Sequence, residues 1–185
     1  MLKYVLGIIL LLVIVLVVYL KSQGAFEKIE FEEKEQAELI LIGEKHVGDY
    51  AMTGEVQDRL YEELKEKGIE TYKGFGIYYD NPREVTKENL RSFVGSILEE
   101  KDYDKLEILN VEYDVRILNK QKVVYTSMPY KSKMSIMFGV FKVYPKASIY
   151  LTEKAYKQNA NLEIYDIPNK KIHYIFPTDS APDFE

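Results

Sequence analysis

The stretch Asn161-Leu162-Glu163-Ile164-Tyr165-Asp166 decides how the rest of the chain is read. Its aliphatic, β-branched and aromatic residues favour a strand, and strand side chains alternate between faces. Leu162 and Ile164 therefore share one face, and Glu163 and Tyr165 the other. With Leu162 and Ile164 toward the core, Glu163 and Tyr165 face either solvent or a pocket. From six residues alone solvent is the ordinary reading, because charged side chains are rarely buried. Much of the functional question is what lies beyond that face.

Working outward, residues 171–176 read as a partner strand, joined through Ile167-Pro168-Asn169-Lys170, and residues 178–185 as a polar tail. Upstream, Met137, Val140, Phe141, Tyr144, Ala147, Leu151 and Ala155 recur at helical spacing and predict a helix over 135–158. Pro145 should kink or restart it. Strands are expected near 107–118 and 122–130, with a polar turn at Asn119-Lys120. Residues 85–98 read as a loop that holds a short helix. Residues 74–79 form a strand that Asp80-Asn81-Pro82 breaks. Val56, Leu60 and Leu64 predict a helix over 50–67, opened by Gly48-Asp49 and stopped at Gly68. Leu39-Ile40-Leu41-Ile42 is a buried strand closed by Gly43. Residues 23–38, rich in Glu and Lys, are a charged stalk or a first strand.

The element order is strand-helix-strand-strand, given twice. It predicts an α+β fold over residues 39–177: tandem strand-helix-strand-strand (SHS2-like) repeats with a pseudo-two-fold antiparallel sheet. The helices would lie on one side. The opposite sheet face would be where Glu163 and several tyrosines meet, and a cleft at such a junction is a usual ligand site.

The amino end differs in kind. Residues 4–20 carry no charge, and Lys3 and Lys21 flank them. At ~1.5 Å per helical residue this run nearly spans a ~30 Å hydrocarbon layer. Tyr4 and Tyr19 fall where interfacial aromatic anchors belong. Residues 1–22 are expected to be a single-pass membrane anchor, touching the bilayer through residues 3–21. The competing reading is a cleaved signal peptide, for which Ser22-Gln23-Gly24 is a poor site. Lysines on both flanks leave the side of the soluble domain open.

Composition excludes several functions. A net charge of −5 without a Lys/Arg cluster argues against nucleic acid as a partner. The absence of cysteine rules out disulfides, thiolate metal sites and a cysteine nucleophile. Only His46 and His173 are available for metal, without ligand spacing, so neither a metal nor a cofactor is expected. Gly74-x-Gly76 lacks the third glycine of a nucleotide loop. The chain holds 16 tyrosines and no tryptophan, a bias that suits either strand-rich packing or an amphipathic aromatic site.

Three stretches carry a resemblance to the GyrI-like, or bacterial effector-binding, family. They are Val47-Gly48-Asp49-Tyr50, Gly76-Ile77-Tyr78-Tyr79-Asp80-Asn81-Pro82 and Leu162-Glu163-Ile164-Tyr165. The resemblance implies a tandem strand-helix-strand-strand domain that binds small molecules. It implies a pocket-floor glutamate, matched here by Glu163, which faces cationic aromatic ligands. A narrower resemblance is to membrane-anchored vertebrate members that act in endoplasmic-reticulum phagy. It runs through Tyr78 to Pro82, Val94-Gly95-Ser96-Ile97-Leu98, Pro129-Tyr130 with Ser135-Ile136, and Leu162 to Tyr165. Those receptors carry a long tail with an aromatic-x-x-aliphatic motif, which is not expected near Phe184. Tyr61-Glu62-Glu63-Leu64 has that spacing but falls in a helix. No helix-turn-helix stretch accompanies the domain either.

Three readings of function follow. A carboxylate in an aromatic box suits a planar cation, through Coulomb attraction and cation–π contacts of ~0.5–2 kcal/mol. Glu163 is then the counter-charge, and Tyr50, Tyr78, Tyr79, Tyr130, Tyr165 and Tyr174 are candidate walls. Alternatively, Glu163 activates water against strained electrophiles, as some family members do. That chemistry needs a second titratable group, which no motif marks. Asp80 reads as a turn cap, and His173 as a structural histidine. The third reading is a tethered adaptor whose protein partner the chain does not identify.

Overall fold

The computed structural model describes residues 1–157 and 160–178. In chain order it forms α1 (Leu2–Ser22), β1 (Glu32–Gln36), β2 (Leu39–Val47), α2 (Thr53–Glu66), β3 (Lys73–Tyr78) and β4 (Arg91–Ile97). There follow α3 (Leu106–Glu112), β5 (Asp114–Leu118), β6 (Gln121–Pro129), α4 (Lys133–Glu153), β7 (Asn161–Asp166) and β8 (Lys171–Pro177). The strands join one sheet of eight in the order β1-β6-β8-β7-β3-β4-β2-β5. Every neighbouring pair is antiparallel.

That order is palindromic about its centre. From the β3–β7 junction, β7-β8-β6 runs one way and β3-β4-β2 the other, with β1 and β5 added at the edges. The expected α+β fold is present: two strand-helix-strand-strand units related by a pseudo-two-fold, β2-α2-β3-β4 and β6-α4-β7-β8.

The second strand pair of the first unit is not where the sequence placed it. Residues 91–97, expected as loop and short helix, are the buried strand β4 between β3 and β2. Residues 107–118, expected as one strand, divide into α3 and β5. Leu106 and Leu109 pack with Ile40, Ile42 and Leu64 at helical spacing, and that packing sets the local winding. Pro145 neither ends nor restarts α4, which runs unbroken from Lys133 to Glu153. It lies on the exposed side of the helix. The expected end of that helix at residue 158, and the tail from residue 179, fall outside the described residues.

The sheet is buried on both faces. On one, α4 lies over Val124, Met128, Tyr165, Ile172, Tyr174 and Phe176, and Val143, Ala147 and Leu151 of the helix complete the cluster. On the same face, α2 lies over Ile42 and packs chiefly across β4. The other face carries Leu41, Phe75, Ile77, Phe93, Leu162, Ile164 and Ile175. No helix contributes to that cluster, yet its members are buried, so the sheet covers this face by curling on itself.

No residue of α1 is buried, but the segment after it is packed on the domain. Gln23 is buried, and its Oε1 accepts from the hydroxyls of Ser132 (2.7 Å) and Ser135 (2.9 Å). The Lys142 ammonium donates to the carbonyls of Gly24, Ala25 and Glu27 at 3.3, 2.7 and 2.6 Å. Gly24 adopts φ +87°, and a Cβ there would lie 2.9 Å from Met128 Cε. Glycine is thus required where the chain leaves α1 and turns onto β6.

Candidate functional site

Glu163 stands at the centre of the sheet. On β3 its register partner is Gly76, and on β8 it is Tyr174. Alternation holds as the sequence requires: Leu162 and Ile164 join the helix-free cluster, while Glu163 and Tyr165 take the other face. That other face is the one bearing α2 and α4. The expectation that Glu163 occupies the face opposite the helices is therefore corrected. The helices flank the junction, and Glu163 lies between them.

Glu163 is 3% exposed, and both carboxylate oxygens are engaged. Tyr144, from α4, donates its hydroxyl to Oε1, and Tyr165 donates to Oε2 at 2.7 Å. The Tyr165 and Tyr78 hydroxyls are 3.1 Å apart. Because Tyr165 spends its proton on Glu163, Tyr78 is the donor in that second contact. Tyr78 and Tyr165 thus form an ordered hydrogen-bonded chain ending on one carboxylate oxygen, and Tyr144 holds the other. Burial raises the Glu163 pKa, against the two phenol hydrogen bonds, which favour its ionised form. Burial and the Glu163 charge push the Tyr144, Tyr165 and Tyr78 hydroxyls up, so all three stay protonated donors.

The walls come from both units. Tyr50, just before α2, sets its ring against that of Tyr78, centroids 4.8 Å apart at 64°. Its hydroxyl donates to the Arg91 carbonyl (2.9 Å), with the Asp80 carbonyl 3.2 Å away, and accepts from the Asp80 N–H. Burial raises its pKa to about 12. Tyr130 stacks obliquely on Tyr165 with centroids 5.7 Å apart, and Tyr174 meets Tyr144 edge-on at 6.1 Å. A Cβ on Gly76 would fall 2.6 Å from the Tyr78 hydroxyl, so the bare position lets the Tyr78 ring lie back toward Tyr165. Likewise a Cβ on Gly139 of α4 would fall 1.7 Å from the Tyr174 hydroxyl. That hydroxyl is buried and has no hydrogen-bond partner among the described residues.

Of the residues named from sequence, Glu163, Tyr165, Tyr78, Tyr50, Tyr130 and Tyr174 converge. Tyr79 does not. The period of two turns it to the opposite face, beside the Leu41–Phe75 cluster and in reach of Arg116. Tyr144 was absent from the candidates although it lies on the helical stripe that the sequence displays. Gln57 of α2, which donates to the Phe75 carbonyl at 2.6 Å over the Gly74–Gly76 floor, had no sequence signal. His173 also lies on the far face, with Nδ1 2.7 Å from the Tyr125 hydroxyl and Nε2 3.4 Å from Asp166. An open surface hollow lined by Glu63, Glu66, Lys67, Glu112 and Tyr113 belongs to α2 and α3 and is remote from Glu163. Among the described residues no group of three or more His, Asp or Glu is placed to hold a metal.

No Lys, Arg or His among the described residues pairs with Glu163. A buried carboxylate ordinarily has a cationic partner or a metal. This one has phenols alone among the described residues.

Comparison with known proteins agrees with the geometry. The model of the GyrI-like small molecule binding domain matches residues 29–167. The mouse testis-expressed protein 264 homolog is 32% identical over 145 residues, 75% of this chain and 45% of that protein. Human testis-expressed protein 264 is 30% identical over 145 residues, 75% and 44% of the two chains. The chain thus spans less than half the length of these relatives. Among solved structures, the EcmrR C-terminal domain superposes with a TM-score of 0.57 at 13% identity, covering 83% of this chain and 99% of that one. SAV2435 bound to tetraphenylphosphonium gives 0.53 at 12% identity, covering 81% and 94%.

Proposed function

The chain belongs to the GyrI-like small molecule binding family, and from that premise we propose that Glu163 and its tyrosines hold a cationic, aromatic small molecule in a domain anchored to a membrane by α1. One observation carries the reading: a carboxylate 3% exposed, held by phenols and lacking a basic partner among the described residues. An apolar cation supplies the missing counter-charge without bringing much water, and the surrounding ring faces add cation–π attraction. SAV2435, of like fold, was solved with tetraphenylphosphonium, an aromatic cation. Tyr144 and Tyr165 cap Glu163, so entry requires their rings to turn aside. Their hydroxyls then exchange a hydrogen bond for a face-on contact.

The anchor reading has separate support. Leu2–Ser22 is a 21-residue helix, long and apolar enough to cross a membrane. A signal peptide would be removed near Gln23, yet Gln23 is buried and bonded to Ser132 and Ser135. Cleavage there would strip the domain of a packed residue.

The test is calorimetric titration of the detergent-solubilised full chain with tetraphenylphosphonium. Replacing Glu163 with Gln should weaken binding by about 2–5 kcal/mol, since it removes one partner of a buried charge pair. Absence of binding by the native chain, or equal binding by the E163Q variant, removes the proposal.

A further inference from the structure

The foot of α1 is a structured corner, and its surface has a composition of its own. Gln23 joins the first turn of α4 through Ser132 and Ser135, and Lys142 joins the carbonyls of residues 24, 25 and 27 to the middle of that helix. These are several bonds across more than a hundred residues of chain, and they fix the first half of α4 beside the point where α1 ends. Gln23 is one residue past Ser22, the last residue of α1. A headgroup layer is about 5–8 Å thick on each side of the hydrocarbon. With α1 spanning the bilayer, the first two turns of α4 have nowhere to sit except within or directly above that layer.

The side chains presented there fit a lipid surface. Lys133, Met137 and Phe141 are all exposed and recur every four residues, a single stripe along α4. Phe141 is 68% exposed and Met137 44%, while Phe26, between the Ala25 and Glu27 carbonyls that Lys142 grips, is 62% exposed. Lys21, Lys131 and Lys133 are exposed around the same corner. The acidic residues of β1 lie elsewhere: Glu32, Glu33 and Glu35 pair with Tyr125, Val124 and Lys122, progressively farther from Pro129 and the foot. Glu27 and Glu30 are also exposed here, with Glu30 paired to Lys28, so lysines outnumber acids at this aromatic corner, whereas at the far end acids and lysines interleave, as in the Glu35–Lys120 pair.

We propose that the first half of α4, through Lys131, Lys133, Met137 and Phe141 together with Lys21 and Phe26, is a second membrane contact that rests on anionic headgroups of the bilayer holding α1. Aromatic and methionine side chains seat at the boundary between headgroup and acyl chain, and lysines bind the negative lipid charge. The inference rests on reading α1 as a membrane span. It brings the Tyr130 end of the tyrosine cluster to headgroup level, next to Lys131.

The absence of cysteine makes the test direct. Full chains carrying F141C, V13C or K120C, each labelled with an environment-sensitive fluorophore, are reconstituted in vesicles of phosphatidylcholine with phosphatidylglycerol. Lys120 lies at the opposite end of β6, roughly 30 Å from Pro129 at ~3.3 Å per residue. Headgroup-proximal spin-labelled lipid should quench the label at position 141 several-fold more than that at 120, and deep-labelled lipid should quench the label at 13. Adding K131E and K133E, or omitting phosphatidylglycerol, should cut quenching at 141 and leave that at 13 intact. Quenching at 13 with none at 141 overturns this inference alone. No quenching at 13 overturns it together with the anchor reading. Shielding at 141 that appears only at high protein density, without lipid quenching, assigns the face to a second copy and also overturns it.

Discussion

The two strand-helix-strand-strand units share a frame and differ where they meet. On the helix-bearing face of the junction, β3 offers Gly74, Gly76 and Tyr78, whereas β7 offers Tyr165 and Glu163 in register with the two glycines. Their helices differ as well. Helix α2 buries Thr53, Leu60 and Leu64 and is otherwise a charged surface helix. Helix α4 buries Gly139, Val143, Ala147 and Leu151 and still exposes Met137 and Phe141. One unit vacates volume, and the other fills it with phenols and a single acid. A faithfully repeated junction would set two carboxylates face to face, where one could not ionise beside the other. The pseudo-two-fold supplies the junction, and its breakage leaves a lone buried carboxyl there.

The sharpest way to break this comparison is to overfill the side that carries the phenols. A Cβ at Gly139 would stand 1.7 Å from the Tyr174 hydroxyl, so Gly139→Ala forces that ring or α4 to move. Overpacking of this kind costs about 1–3 kcal/mol. Tyr174→Phe deletes an unpartnered buried hydroxyl and should recover part of the loss in the double variant. Thermal unfolding of the four chains in detergent measures the coupling. Additive effects would mean that the helix, rather than the ring, gives way.

Of similar size is the effect of the phenols on Glu163. Tyr144→Phe removes the α4 donor to Oε1. Hydrogen bonds to charged groups are worth about 1.5–3 kcal/mol, and here the acceptor is left buried. The variant should lose about that much stability near neutral pH and regain most of it when Glu163 is also made Gln. Equal losses in both backgrounds would show that Tyr144 acts through packing alone.

The acid itself gives a pH signature. Its folded-state pKa is raised by burial. The folded chain therefore keeps this proton to higher pH than the unfolded chain does. Stability from this group is complete below the unfolded carboxylate range and declines as pH rises through the folded value. The unfolding temperature of the native chain minus that of the E163Q variant should fall as pH rises from about 4.5, the ordinary glutamate value. Affinity for a cation should rise over the same interval, because ionisation creates its counter-charge. A difference independent of pH would mean that Glu163 ionises alike in both states.

How far these features are legible in sequence depends on which neighbours they need. β7 reads directly because Leu162 and Ile164 alternate with Glu163 and Tyr165, and each face differs in polarity. β4 does not, because both its faces are buried and on its helix side Ser92 and Ser96 flank the one aliphatic, Val94. Its Gly95 is demanded by tertiary approach: a Cβ there would fall 2.0 Å from the Ile42 carbonyl. In sequence such residues imitate a loop. The site is divided in the same way. Glu163 and Tyr165 are local to one strand, while Tyr144 reaches the acid from a helix 19 residues upstream, and Gln57 reaches β3 across the glycines. No spacing rule encodes contacts set by how two helices flank a junction.

Tyr79 gives the smallest expected effect and the cleanest control on the comparison. It adjoins Tyr78 in sequence, yet its ring belongs to the helix-free face beside Arg116. Tyr79→Phe removes a hydroxyl that interacts with a charged group and should cost about 1 kcal/mol of stability. Because the sheet stands between this ring and Glu163, tetraphenylphosphonium affinity should remain that of the native chain. Tyr78→Phe, one residue earlier, should weaken binding instead, since it takes the far donor from the chain of phenols ending on Glu163. If both substitutions weakened binding equally, the ligand would not be reading one face of the sheet. The division between a phenol-lined junction and a purely structural reverse side would then fail.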